Sequence, residues 1–122
     1  KFLDTTSDIN LIHKFLNTLN VYSHGRSDGE QCSSSIIEGM SHSLPLISHT
    51  APSMGQREQI GDAGKVVEGY EEYSNEMNRM MNDRDYYIQC ANNSGKRYEE
   101  IYNVPSIISK FVKLYQDAAN KK

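Results

Sequence analysis

Two glutamates, Glu30 and Glu38, bracket the residues "QCSSSII" in the stretch "GRSDGEQCSSSIIEGM", residues 25–40. A glycine turn leads to the first acid, a serine cluster follows, and apolar residues then begin what reads as a helix. With Glu30 in the loop before that helix, Ser33, Ser34 and Ser35 occupy its first turn. Their N–H groups and hydroxyls, at the positive helix end, form an anion site. Glu38 stands one turn further in, near the same mouth, and a carboxylate is a natural bidentate acceptor for a ribose diol. An acceptor for sugar hydroxyls, a pyrophosphate cradle and a ribose acceptor together suit a nucleotide-sugar. A purely structural reading stands beside this one. Acid near a helix start stabilises the helix by roughly 0.3–1 kcal/mol without any ligand, and serines there are ordinary caps.

The elements that must position these residues follow from periodicity. "KFL" (1–3) reads as the end of a strand, and Ser7 or Asp8 caps a helix in which Ile9, Ile12, Leu16 and Leu19 recur at helical spacing. "NVYSHG" (20–25) is a β-rich run stopped by Gly25, and residues 33–42 form the second helix. "LPLISHT" (44–50) is the next strand, with Pro45 at its first position. A short helix at 55–60 precedes a fourth strand, "GKVVEG" (64–69). Beyond that the pattern is helical: Tyr73, Met77 and Met80 mark one helix, and Tyr87, Ala91, Tyr98 and Ile101 a second. Pro105 opens a third, through Ile108, Phe111, Val112 and Tyr115. Alternating strands and helices predict an α/β fold, a Rossmann-like parallel sheet with helices on both faces and a helical C-terminal third. Such sheets bind ligands beyond the carboxyl ends of their strands, where the two glutamates fall.

The chain has 122 residues, one domain's worth, with residues 1–69 as the β/α core and 70–122 as the C-terminal helices. A formal charge of −3 with scattered Lys and Arg argues against a nucleic-acid surface, and no run is apolar enough for a membrane span. Cys32 and Cys90 lie too far apart for a Cys-x-x-Cys pair and read as free thiols in a reducing, cytoplasmic compartment. The histidines (His13, His24, His42 and His49) lack metal-ligand spacing, and "DRD" (83–85), between two helices, reads as capping acids. The expected metal and cofactor complement is none. The opening "KFLD" reads as a segment cut from a longer protein.

"E-Q-C-S-S-S-I-I-E-G-M" followed by "L-P-L-I" resembles the Glu-x7-Glu signature of the retaining GT-B glycosyltransferases of group 1 (family 4), whose usual form is close to E-G-F-G-x-x-x-x-E-A-M-A-x-G-x-P-V-I. Downstream, "M-G-Q-R-E-Q-I-G-D-A-G" resembles that family's G-G-x-P-E-V-I-x-D-G/A-G loop, with Gly55 and Glu58 in register. The resemblance covers nearly the whole chain. It implies a donor-binding portion of an enzyme that moves a hexose from a nucleotide-diphosphate sugar to a carbohydrate, lipid or protein acceptor with retention. Glu30 would contact the donor sugar as the catalytic-site acid. The backbone around Cys32, Ser33 and Ser34 would meet the sugar and diphosphate, and Glu38 would bind the ribose. Gly55 and Glu58 would support the cleft. The family's basic pair and its acceptor-binding N-terminal domain would lie upstream of Lys1, and the full-length protein would be cytoplasmic or peripheral at a membrane.

The sequence departs from the family at Gln31 and Ser33, which stand where glycines are usual, at Gly39 in place of Ala, and at Ser43 in place of the helix-ending glycine. Nucleotide-sugar 2-epimerases of the same fold, and a non-catalytic nucleotide-sugar-binding module, are the other functions such a chain would fit.

Overall fold

The computed structural model describes residues 5–25, 32–49 and 55–120. The order of elements is α1 (Ile9–Leu16), β1 (Tyr22–His24), α2 (Ser34–Ser41), β2 (Leu46–His49), α3 (Gln56–Ile60), β3 (Gly64–Val67), α4 (Gly69–Asn82), α5 (Arg84–Arg97), a π-helical turn (Tyr98–Tyr102) and α6 (Val104–Ala119). The fold is α/β. The strands form one parallel sheet with β2 in the centre, Tyr22 pairing with Leu46 and Leu46 with Gly64. The strand expected at residues 1–3 lies outside the described residues, as does Glu30.

Alternation along the strands divides the core into two layers. Leu46 joins Ile36, Met40, Ile60 and Ala63 on the face covered by α2 and α3, with Tyr22, Val66, Tyr98 and Tyr102 packed against them. Ile47 and Val67 point the other way, to Met80 of α4 and Cys90 of α5, with Val21, Tyr73, Met77 and Tyr86 alongside. Helices thus cover both faces, and α5 with its π-helical turn contributes to both layers. It passes the amino ends of the strands. Asn93 Nδ2 donates to the Asp62 carbonyl at 3.1 Å, before β3. Gly95 lies so close to Ser43, before β2, that a Cβ would meet the serine hydroxyl.

Local chemistry explains the boundaries. Of the two residues suited to cap α1, Asp8 does so, its carboxylate accepting from Asn10 N (2.9 Å) and Leu11 N (3.4 Å). Asp83 caps α5 through Tyr86 N at 3.0 Å, the role expected for the "DRD" acids. α2 ends in a Schellman motif: Ser43 N donates to Met40 O and Leu44 N to Gly39 O, with Leu44 buried beneath. Ser43 holds the left-handed position (φ +54°) where a glycine would be unstrained. Gly39 also has a local reason, because a Cβ there would sit 2.8 Å from the Tyr22 ring.

Three expectations shift. Pro45 lies just before β2 rather than at its first position, and its carbonyl accepts from Tyr22 N. Pro105 stands second in α6, after Val104. The fully buried residues of α5 are Cys90 and Ser94, in phase with half-buried Tyr86 and one residue off Tyr87 and Ala91, which are part-buried; of the expected stripe Tyr98 packs against the core and Ile101 is exposed. Polar residues in the buried phase hid it. Tyr86 Oη donates to the buried Glu76 carboxylate at 2.5 Å, and Arg79 lies over the Tyr86 ring. The apolar stripe of α6 has no buried member, whereas the Met and Tyr stripe of α4 packs into the core.

Candidate functional site

The N-terminal turn of α2 follows β1 and is fixed by α3. Ser33, its extended N-cap residue, is buried. The Gln59 side chain grips Ser33 from both sides of the residue: Oε1 accepts from Ser33 N at 2.9 Å and Nε2 donates to Ser33 O at 2.7 Å. α3 is in turn held by α5. Arg97 Nε donates to the Gln59 carbonyl at 2.8 Å and Arg97 Nη2 to the Glu58 carbonyl. A guanidinium at those carbonyls also suits the negative end of a helix. A single polar relay, Arg97 to Gln59 to Ser33, therefore sets where α2 begins.

The hydroxyl of Ser33 does not cap its own helix; it pairs with Ser35 Oγ at 2.8 Å. Ile37 N takes the first intrahelical bond, to Ser33 O, so the N–H groups of Ser34, Ser35 and Ile36 have no acceptor within the helix. Ser34 is exposed, and Glu38, four residues on, shares its exposed face while Ile36, Gly39 and Met40 face the core. Along the helix axis the Glu38 backbone lies about 6 Å from that of Ser34, four residues on. Cys32 is an exposed free thiol just before the turn.

Gly55 is the N-cap of α3 with φ −75°, a conformation open to any residue, and Glu58 is exposed in the first turn. The α3 side chain that holds the start of α2 is Gln59. Gln56 is buried, its Oε1 accepting from Ser48 Oγ at 3.2 Å, and its Nε2 has no hydrogen-bond partner among the described residues. Gln56 and Gln59 lie three apart on a short helix and so share a face. The spacing of two amides beside apolar Ile60 was the available sequence signal for them.

His24 and His49 end β1 and β2, on the carboxyl side of the sheet. His49 Nε2 accepts from Gly69 N at 3.2 Å, which closes the turn between β3 and α4, and its ring tilts against Tyr70 with centroids 6.2 Å apart. His24 stacks on Tyr22. His13 and His42 lie elsewhere, pairing through Nδ1 and Nε2 at 2.8 Å between α1 and the end of α2, with His42 Nδ1 against Asn17 Oδ1 at 2.8 Å. Partial burial, reinforced by His13, holds the His42 imidazole below the usual histidine range.

Among the described residues no cluster of three or more His, Cys, Asp or Glu side chains is arranged to hold a metal, and no helix is long and apolar enough to cross a membrane. The chain matches no protein-family profile and no curated protein sequence.

Proposed function

We propose that the chain is the donor-binding, Rossmann-like part of a retaining GT-B glycosyltransferase of group 1 (family 4). In this reading it binds a nucleotide-diphosphate sugar so that a hexose can pass to a carbohydrate, lipid or protein acceptor. The observation that carries the reading is the α2 N-terminal turn. Its serines and amides stand at the carboxyl side of a parallel sheet, and Glu38 lies one turn along the same exposed face. A diphosphate against the amides of Ser34, Ser35 and Ile36 would put the adjoining ribose within reach of the Glu38 carboxylate. Glu30 would face the donor sugar. Stabilisation of the departing diphosphate would come from fixed N–H dipoles, an electrostatic contribution that needs no movement during the reaction. The protein would act in the cytoplasm, alone or at a membrane surface, where Cys32 and Cys90 stay reduced.

One feature favours a binding module without turnover as the second reading. Ser33 N is committed to Gln59, so the residue standing at a usual family glycine offers a diphosphate no backbone donor. Isothermal titration with UDP, GDP and their hexose conjugates tests the proposal. Saturable binding of one diphosphate and its sugar conjugate supports it, and transfer to an acceptor then separates enzyme from module. Heatless titrations with every nucleotide would refute both.

A further inference from the structure

His13, in the last turn of α1, and His42, the residue that ends α2, are brought together by the fold, with His13 Nδ1 and His42 Nε2 2.8 Å apart. The other ring nitrogen of His42 is held too: Asn17 Oδ1 accepts from Nδ1 at 2.8 Å. The ring centroids are 5.0 Å apart, close to the 2.8 Å separation plus the two ring radii, so the facing nitrogens point straight at one another. A metal ion between in-line nitrogens would hold them about 4 Å apart, twice a zinc–nitrogen bond. At 2.8 Å the gap takes one hydrogen and nothing larger. With Nδ1 of His42 donating to Asn17, His42 Nε2 is the acceptor and His13 Nδ1 supplies the shared hydrogen. One extra proton can sit on His13 Nε2 with that hydrogen still in place. A second has to enter at His42 Nε2, where N–H would meet N–H between two like charges.

The charges on the neighbouring elements leave this arithmetic intact. On α1, Asp8 is engaged in the helix cap and Lys14 follows His13; on α2, Glu38 stands one turn before His42. On α5, Lys96 follows the glycine that packs on Ser43, and in the π-helical turn Glu99 and Glu100 engage Asn103 and Lys96. The lowering of His42 comes from burial and then from His13, not from these groups. α2 itself supplies the alternative position for the second charge. His42 ends that helix, and an imidazolium released from His13 is favoured by the last carbonyls and the negative helix end. Leu16, the buried residue of α1, keeps the helix anchored, so the release is local. We infer that His13 and His42 form a proton-operated joint between α1 and the end of α2, closed while the pair carries no more than one extra proton and open when both rings are charged.

The test is an NMR titration of the histidine ring nitrogens in the whole chain, with amide-exchange protection factors measured along α1 and circular dichroism confirming that each variant is folded. In wild type the two rings should take up protons in separate steps, more than about one pH unit apart. Protection in α1 should fall about tenfold between pH 7 and pH 5, because each unit by which the closed pair lowers the second step is a factor of ten in the closed-to-open ratio. In His13→Ala the His42 step should move up towards the ordinary histidine value of about 6.5, and protection in α1 should no longer change with pH. Rings that titrate together in wild type overturn the inference. So does a low His42 step that survives His13→Ala, or α1 protection that stays constant in wild type. Zinc binding that wild type shows and His13→Ala loses would also overturn it, since the pair would then hold a metal and not a proton.

Discussion

Replacing Gln59 by Leu removes the grip on Ser33 while keeping nearly the same volume. Two hydrogen bonds vanish, at 2.9 and 2.7 Å, in surroundings where Ser33 is 2% exposed and Gln59 3%. The Ser33 carbonyl keeps its bond from Ile37 N, so its loss is about 1 kcal/mol. The Ser33 N–H is left buried and unpaired, which costs about 1–3 kcal/mol. The sum, about 2–4 kcal/mol, should lower the melting temperature by about 8–15 °C for a chain of this size. Gln59→Glu adds a diagnostic. Its carboxylate still accepts from Ser33 N, but the second oxygen faces the Ser33 carbonyl with no proton between them. Protonation restores that donor, so the pKa of Glu at position 59 should be raised in the folded state. Its stability deficit should accordingly shrink as pH falls from 7 towards 5. Urea and thermal unfolding followed by far-UV circular dichroism measure both variants. A loss below about 0.5 kcal/mol for Gln59→Leu, against the hydrogen-bond range above, would refute the relay from α3 to α2.

A Cβ on Gly64 would collide with the backbone carbonyl of Leu46, its register partner on β2; Gly64→Ala should cost about 3 kcal/mol or more and broaden or abolish cooperative unfolding. Ser43→Gly relieves the left-handed strain at φ +54°, and after the larger chain entropy of glycine it should stabilise by about 0.5–1 kcal/mol, seen as a higher urea midpoint. The lowered pKa of His42 means the unfolded chain takes up its proton first as pH falls below about 6.5. Its contribution is therefore full above that pH and declines below it, so the melting temperatures of wild type and His42→Gln should converge between pH 7 and pH 5. A gap that stays constant would mean His42 does not titrate in this way.

Much of the architecture was legible because its signals are local. The apolar runs at 21–22, 46–47 and 66–67, separated by helical stretches, called for parallel strands, and Asp8 and Asp83 stand where side-chain oxygens can reach free amides. Residues 33–42 could be assigned to a helix and Ser43 to its terminus from the same short-range chemistry. The positioning of the site was not legible. Gln59 acts on Ser33 across 26 residues, and Arg97 on Gln59 across 38; no periodic pattern marks such pairs. α5 misled by one residue because its core phase contains Ser94 and depends on the Tyr86–Glu76 hydrogen bond, so polarity ceased to indicate exposure. In α6 the amphipathic pattern was clear, but a pattern specifies a face and not what covers it.

The central claim is that Glu38 and the α2 turn bind a nucleotide diphosphate while Glu30 acts on the attached sugar. It is tested most directly by dissociation constants for the diphosphate and the nucleotide-sugar in wild type, Glu38→Ala and Glu30→Ala. Glu38→Ala should weaken both ligands by about ten- to a hundredfold, since lost hydrogen bonds to a charged acceptor are worth about 1.5–3 kcal/mol. Glu30→Ala should leave the diphosphate unchanged and weaken the nucleotide-sugar alone. If Glu38→Ala leaves both constants at the wild-type value, or Glu30→Ala weakens the bare diphosphate as much as the sugar conjugate, the assignment is contradicted.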